Sequence, residues 1–183
     1  MKATEILMAE HRVIERVVAA MNQAADRLEQ GEEIRPGFFL QAGEFVKGFA
    51  DGCHHKKEEE VLFKSMVENG LSTQQGPVAA MLYEHEEGRA YIRGLSEAAL
   101  RLQNGDKSAI PAVVSNARGY AMLLNGHILK EDQVLFPLAD RVIPAAQQEA
   151  VMEGFEHVEH EETGEGVHEK YLALAEALER ELA

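Results

Sequence analysis

The stretch His54–Phe63, HHKKEEEVLF, returns later in the chain as His127–Phe136, HILKEDQVLF. Both read H-x-x-x-E-[ED]-x-V-L-F, with a histidine and two acids directly ahead of an apolar Val-Leu-Phe. On a helix, residues i and i+4 stack on one face roughly 6 Å apart. Glu58 therefore shares a face with His54, and Glu131 shares one with His127. A buried carboxylate without a partner is strongly unfavourable, and two facing each other are worse. A pair of divalent cations removes that penalty, because it neutralises the carboxylates and ligates the imidazoles.

Outward from the repeats, the segments between prolines and glycines carry helical periodicity. A first helix is expected after Thr4 as N-cap, running to about Gln30, with Leu7, Ile14, Val17, Val18, Met21, Ala25 and Leu28 as its apolar stripe. A second opens near Pro36 and stops at Glu68–Gly70; a third follows Pro77 and ends at Asn104–Asp106. The fourth runs from Ser108–Pro111 to about Arg141, with Pro137 expected to bend or end its regular part. After Pro144 comes a last helical segment, broken at Thr163–Gly166. Strand signals are nearly absent. The expected fold is all-α: an up-down-up-down four-helix bundle over residues 1–143, with a C-terminal helical extension, 144–183, packing on it. Leu174, Leu178 and Leu182 give that extension one apolar edge, which docks on the bundle or makes a homodimer.

Each bundle helix points one histidine inward. His11 lies between Leu7 and Ile14, His85 between Met81 and Ile92, His54 between Ala50 and Val61, and His127 between Leu123 and Val134. One inward histidine is ordinarily a hydrogen-bonded core residue. Four on four helices, two of them bringing Glu58 and Glu131, are a ligand set. His55, turned about 100° from His54, is either a surface residue or a donor reaching the same ions from the flank. Glu59, Glu60 and Asp132 rotate off the stripe and are expected to face outward, Asp132 also being an alternative ligand. So many imidazoles with two carboxylates exceed one tetrahedral zinc. Mixed N/O donors in that number suit two five- or six-coordinate ions, iron first and manganese second. Ferritin-like proteins use Glu-x-x-His instead, and here that order occurs only at Glu165–His168 in the tail.

The whole chain narrows the function further. Its 183 residues are 45% hydrophobic and 27% charged, as expected of one globular domain. A net charge of -14 disfavours nucleic acid and anionic membrane, since phosphates repel such a surface. A single cysteine, Cys53, excludes an internal disulfide framework and fits a reducing cytoplasm. No signal peptide or membrane span is evident. The expected partners are cations and small molecules.

The chain resembles the hemerythrin-like (HHE cation-binding) family. The likeness rests on AEHRVIE with His11, HHKKEE with His54 and Glu58, EHEEGR with His85, and HILKED with His127 and Glu131. It implies a four-helix bundle around a non-haem di-iron centre that binds O2, peroxide or NO. Glu58 and Glu131 would bridge both irons and the histidines would cap each one. Oxygen-carrying hemerythrins place a fifth histidine four residues after the third-helix one, where this chain has Arg89. His55 is the first candidate for that seventh ligand, then a tail residue among His157, His160 and His168, then water. A more open site would favour an enzyme acting on peroxide or NO, or in iron-centre repair, over reversible oxygen carriage. An iron reservoir or a structural helical module is a third reading.

Overall fold

The computed structural model describes residues 2–164 and 166–183, and for Glu162 the backbone only. Among the described residues there are six helices and no strand. Helix α1 is Ala3–Glu29. It starts earlier than Thr4 suggests, because the Lys2 amide donates to Glu5 Oε2 at 2.9 Å and so caps the first turn. Thr4 is buried inside that turn and donates its hydroxyl to Asp140 at 3.0 Å.

Helix α2 spans residues 36–68 and is not uniformly α. Val46–His55 and Glu58–Leu62 are wound as π-helix, with i→i+5 hydrogen bonding. Helix α3 is Gly76–Gln103. Helix α4 spans residues 110–142 and has a π-wound turn of its own at Glu131–Leu135. This wider turn sits immediately before Pro137, so the ring meets a ladder already opened and the helix continues through it to Val142. The helix does not end at Pro137, although its regular winding gives way just before it, at Glu131–Leu135. Helix α5 spans residues 148–164, and α6 is Val167–Leu182.

Helix α1 packs along α4, α4 along α3, and α3 along α2, while α6 lies along both α1 and α2. The docking of α6 depends on a close approach: a Cβ on Gly48 would overlap the Tyr171 side chain. Leu178 and Leu182 are buried in the core and Leu174 packs against it, so the leucine edge is spent within the chain. No helix among the described residues is long and apolar enough to cross a membrane.

The apolar interior falls into two clusters. One gathers Ile14, Val17, Phe45, Phe49, Ile92 and Leu124. The other gathers Leu7, Leu62, Phe63, Met81, Leu135 and Phe136. Along each of α1 to α4 the inward histidine lies where one cluster gives way to the other. A polar belt thus crosses the middle of the molecule, between two layers that exclude water from it.

Candidate metal centre

Seven buried residues form the belt. His55, Glu58, His85 and His127 make one group, and His11, His54, Glu58 and Glu131 make a second; within each, one donor atom per residue lies within 4.8 Å of the others. All seven are at most 5% exposed. Glu58 belongs to both groups. Its Oε1 is 3.4 Å from His54 Nε2 and its Oε2 is 3.4 Å from His85 Nε2. Glu131 divides in the same way, Oε2 lying 3.2 Å from His11 Nε2 and Oε1 3.2 Å from His127 Nε2. Each carboxylate presents one oxygen to each group.

None of these close approaches has hydrogen-bond geometry. Both oxygens of Glu58, both of Glu131, and Nε2 of His11 and of His54 are buried with no hydrogen-bond partner among the described residues. Orphaned buried acceptors in such number are rare in proteins and need a reason. Six atoms converging without bonding one another are what cation ligands look like before the cation is counted, so these residues fit a metal pair.

The other ring nitrogens are all engaged. His11 Nδ1 lies 2.7 Å from Asp132 Oδ1, and His54 Nδ1 2.9 Å from Glu10 Oε2. His85 Nδ1 lies 2.6 Å from Glu59 Oε1, and His127 Nδ1 2.9 Å from Glu84 Oε2. His55 Nδ1 has a longer contact, 3.4 Å, to Asp51 Oδ1. An ionised carboxylate only accepts, so each Nδ1 carries a proton and Nε2 is turned inward, where those of His85 and His127 lie 3.1 Å apart, within hydrogen-bond reach of each other. For the four bundle histidines the acid comes from a neighbouring helix, and the arrangement runs once around the bundle. A third layer of cations braces the acids: Arg12 on Asp132, Lys57 on Glu10, Lys130 on Glu84, and Arg89 on Glu59 at 2.8 Å and on Asp51 at 2.7 Å. The phenylalanines of the repeats finish the enclosure. Phe136 stacks on His11 at 5.4 Å and Phe63 on His85 at 5.9 Å.

The sequence matches the hemerythrin HHE cation binding domain over residues 2–139. This chain belongs to that family. Uncharacterized proteins of Mycobacterium bovis and of two strains of Mycobacterium tuberculosis are 24% identical to it over 163 residues, which is 89% of this chain and 63% of theirs. The chain thus spans less than two thirds of the length of these curated relatives. No solved structure matches it.

Family membership does not explain the local departures of this hemerythrin-family chain; its geometry does. His55 joins the donors although it directly follows His54. The π-wound backbone of Val46–His55 turns successive side chains through a smaller angle than an α-helix, so both rings face inward. Arg89, standing where a fifth histidine was looked for, does not enter the belt and instead braces the acids behind His55 and His85. Glu59 and Asp132 are not outward-facing as expected, since each holds an imidazole; only Glu60 is exposed. Val134, assigned to the inward stripe, is 56% exposed, because the wider turn at Glu131–Leu135 rotates it out.

Glu10, Glu84, Asp51 and Lys57 escaped the sequence reading. A signal for three of them was present: an acid directly precedes His11 and His85, and a lysine directly precedes Glu58 in one repeat and Glu131 in the other. In the tail, His157 and His160 are exposed, and His157 lies 3.2 Å from Glu161. His168 gathers with Glu10 and Glu159, but the ammonium of Lys57 already occupies that cluster. Glu165 of the tail Glu-x-x-His lies outside the described residues. Cys53 is buried and takes no part in either donor group.

Electrostatics tune the donors. Burial pulls His54 toward its neutral form, but the Glu58 charge and the Glu10 hydrogen bond outweigh it and push its pKa up to about 10. His85 is pushed up to about 9, where burial is overcome by Glu58 and Glu59. Burial, together with the His85 charge, pushes His55 down to about 3. Glu58 is held well below the carboxylate range; burial opposes this and the His54 charge overrides it. Protons and metal compete for the same nitrogens, so metal uptake at pH 7 is expected to release protons and affinity to rise as pH climbs through about 9 for His85 and about 10 for His54. The stability that these raised imidazoles give the metal-free protein is fully present below the ordinary histidine value of 6.5 and is lost as pH climbs through 9 to 10. Calorimetric metal titration in buffers of different ionisation enthalpy should show this proton release. Release of none would mean that the belt is already neutral.

Proposed function

We propose that this hemerythrin-family protein holds two metal ions, iron before manganese, and binds O2 or a related small oxidant at them, in sensing, storage or the oxidative-stress response. The observation that carries the reading is that Glu58 and Glu131 each turn one oxygen to either donor group while all four oxygens lack a hydrogen-bond partner among the described residues. In this reading His11 and His54 would help hold one ion, His55, His85 and His127 the other, and Glu58 and Glu131 would contribute to both. Seven donors of mixed N and O type exceed one tetrahedral site and would suit two higher-coordinate ions. When bound, an iron pair supplies the electrons for the oxidant. The chain's own residues hold the imidazoles in one tautomer, keep bulk water out with two apolar layers, and balance the charge of the acids with Arg12, Lys57, Arg89 and Lys130. We read α1 to α4 as the up-down-up-down bundle of residues 1–143, with 144–183 as an extension packed on it, in a reducing cytoplasm.

With His55 counted, a missing seventh ligand no longer argues for an enzyme acting on peroxide or NO. What favours that second reading is a cavity reaching His55, His85 and His127 from outside. A purely structural module leaves the orphaned oxygens unexplained. The test is metal analysis with a visible spectrum of freshly purified protein. Two irons per chain and a spectrum that changes reversibly with oxygen are expected. Steady oxygen evolution from peroxide would favour the enzyme, and metal near zero after growth in iron-supplemented medium would overturn both.

A further inference from the structure

The chain has 32 acidic residues, yet no Asp or Glu occurs between Asp106 and Glu131, the longest acid-free stretch of the sequence. That stretch forms most of α4. Its inner side supplies Tyr120, Leu124 and His127 to the interior. On its outer side Ser115, Met122, Gly126 and Leu129 share one helical face, and all four are exposed. Met122 is 77% exposed and Leu129 55%. Of the five large apolar side chains exposed among the described residues, three are on α4, Val134 being the third. An apolar stripe thus lies open on an otherwise acidic molecule.

Gly126, in the middle of the stripe, has no cause within the chain. A Cβ there would meet nothing within 4 Å, so no neighbouring element needs the space. Glycine inside a helix is less favourable than alanine, because it has more backbone freedom to lose. What it offers in return is close approach by a second backbone.

Symmetry and charge point to the occupant. Met122 lies one turn before Gly126 and Leu129 one turn after, so the stripe reads alike in both directions. A second copy turned end for end sets Met122 against Leu129 twice, with glycine over glycine between them. That is the self-complementary pattern of a two-fold interface. Two chains of net charge -14 repel each other, and a face without carboxylates is where they can meet at least cost.

We propose that the outer face of α4 is an interface between two copies of this chain, packed antiparallel with Gly126 at the crossing and Met122 and Leu129 as apolar anchors. The face includes none of the seven donors, so the proposal stands apart from the metal-centre reading.

Sedimentation of the full chain as purified, from micromolar to near-millimolar concentration, should show a monomer–dimer equilibrium. Met122→Glu sets a carboxylate against the partner copy's apolar stripe and should weaken the dimer about a hundredfold. Gly126→Leu should weaken it as strongly, through bulk. At concentrations where wild type is monomeric, that variant should melt no lower, because leucine favours a helix more than glycine does. Raised salt should tighten the wild-type dimer by screening the repulsion between copies. A chain that stays monomeric throughout would overturn the proposal and leave the face to a different partner. So would a dimer that both variants leave intact, which would place the interface elsewhere, or one that salt dissolves, which would make it an ion-pair contact. A melting temperature several degrees lower for Gly126→Leu would show that the glycine serves the fold and would overturn its place at the crossing.

Discussion

On the proposed two-metal reading, Glu58→Gln is expected to strip both ions from the protein. Glu58 is the residue common to both donor groups, with one oxygen turned to His54 and the other to His85. Glutamine preserves the volume but removes the charge and replaces one oxygen by an amide that donates rather than accepts. The neighbouring Glu59→Gln provides the scale: it meets His85 on its far side and is braced by Arg89, and changes to such supporting groups weaken metal binding by about 10–100-fold. Glu58→Gln should exceed that range, because a direct donor is lost to both ions at once. Metals per chain, measured by mass spectrometry after chelator competition, decide the matter. Retention of two ions at wild-type affinity would show that Glu58 is not shared. Loss of one ion with retention of the other would restrict it to a single group.

The second large effect is expected at Lys57, whose side chain is wholly buried. Its ammonium bonds Glu10, lies 3.3 Å from Glu159 Oε2, and sits 5.8 Å from the centre of the Phe155 ring. Lys57→Met keeps the length and the apolar stem but leaves Glu10, itself 5% exposed, with His54 Nδ1 as its one remaining buried partner among the described residues. Breaking a buried pair in this way destabilises by about 3–5 kcal/mol. The loss should appear as a lower urea midpoint for the metal-free protein at unchanged slope. Adding Glu10→Gln should recover most of it, since a buried pair replaced by neutral groups of similar volume is often close to neutral in stability. Lys130→Met is the internal control. Lys130 holds the equivalent place in the second repeat, yet its side chain is 47% exposed, and exposed pairs contribute about 0–1 kcal/mol. Equal losses at the two lysines would mean that burial does not govern the effect.

Much of the centre was legible from local pattern. An inward histidine on each helix, and a glutamate at i+4 from two of them, follow from the helical period, which any contiguous stretch of sequence displays. The acids behind the histidines were harder to see. Glu10 serves His54 and Asp132 serves His11 across helix boundaries, so their role depends on how neighbouring helices are rotated and set in register. Glu59 and Asp132 were assigned outward because an α-helix rotates i+1 off the stripe. Here outward from one helix is inward toward the histidine of the next.

Helicity, and inward faces that carry imidazoles and carboxylates, follow from local order, because helical periodicity and i,i+4 spacing are properties of neighbouring residues. The inward turn of His55 is not in that local period: an α-helical repeat turns it aside, and the π-wound backbone of Val46–His55 turns it back toward the buried group. Packing alone also separated Lys57 from Lys130. The two occupy the same place in the repeats, but Glu159 and Phe155 of α5 reach Lys57, so that one lysine is sealed from water and the other is half open to it. Solvation depends on what the rest of the chain lays over a residue, and no local pattern encodes that.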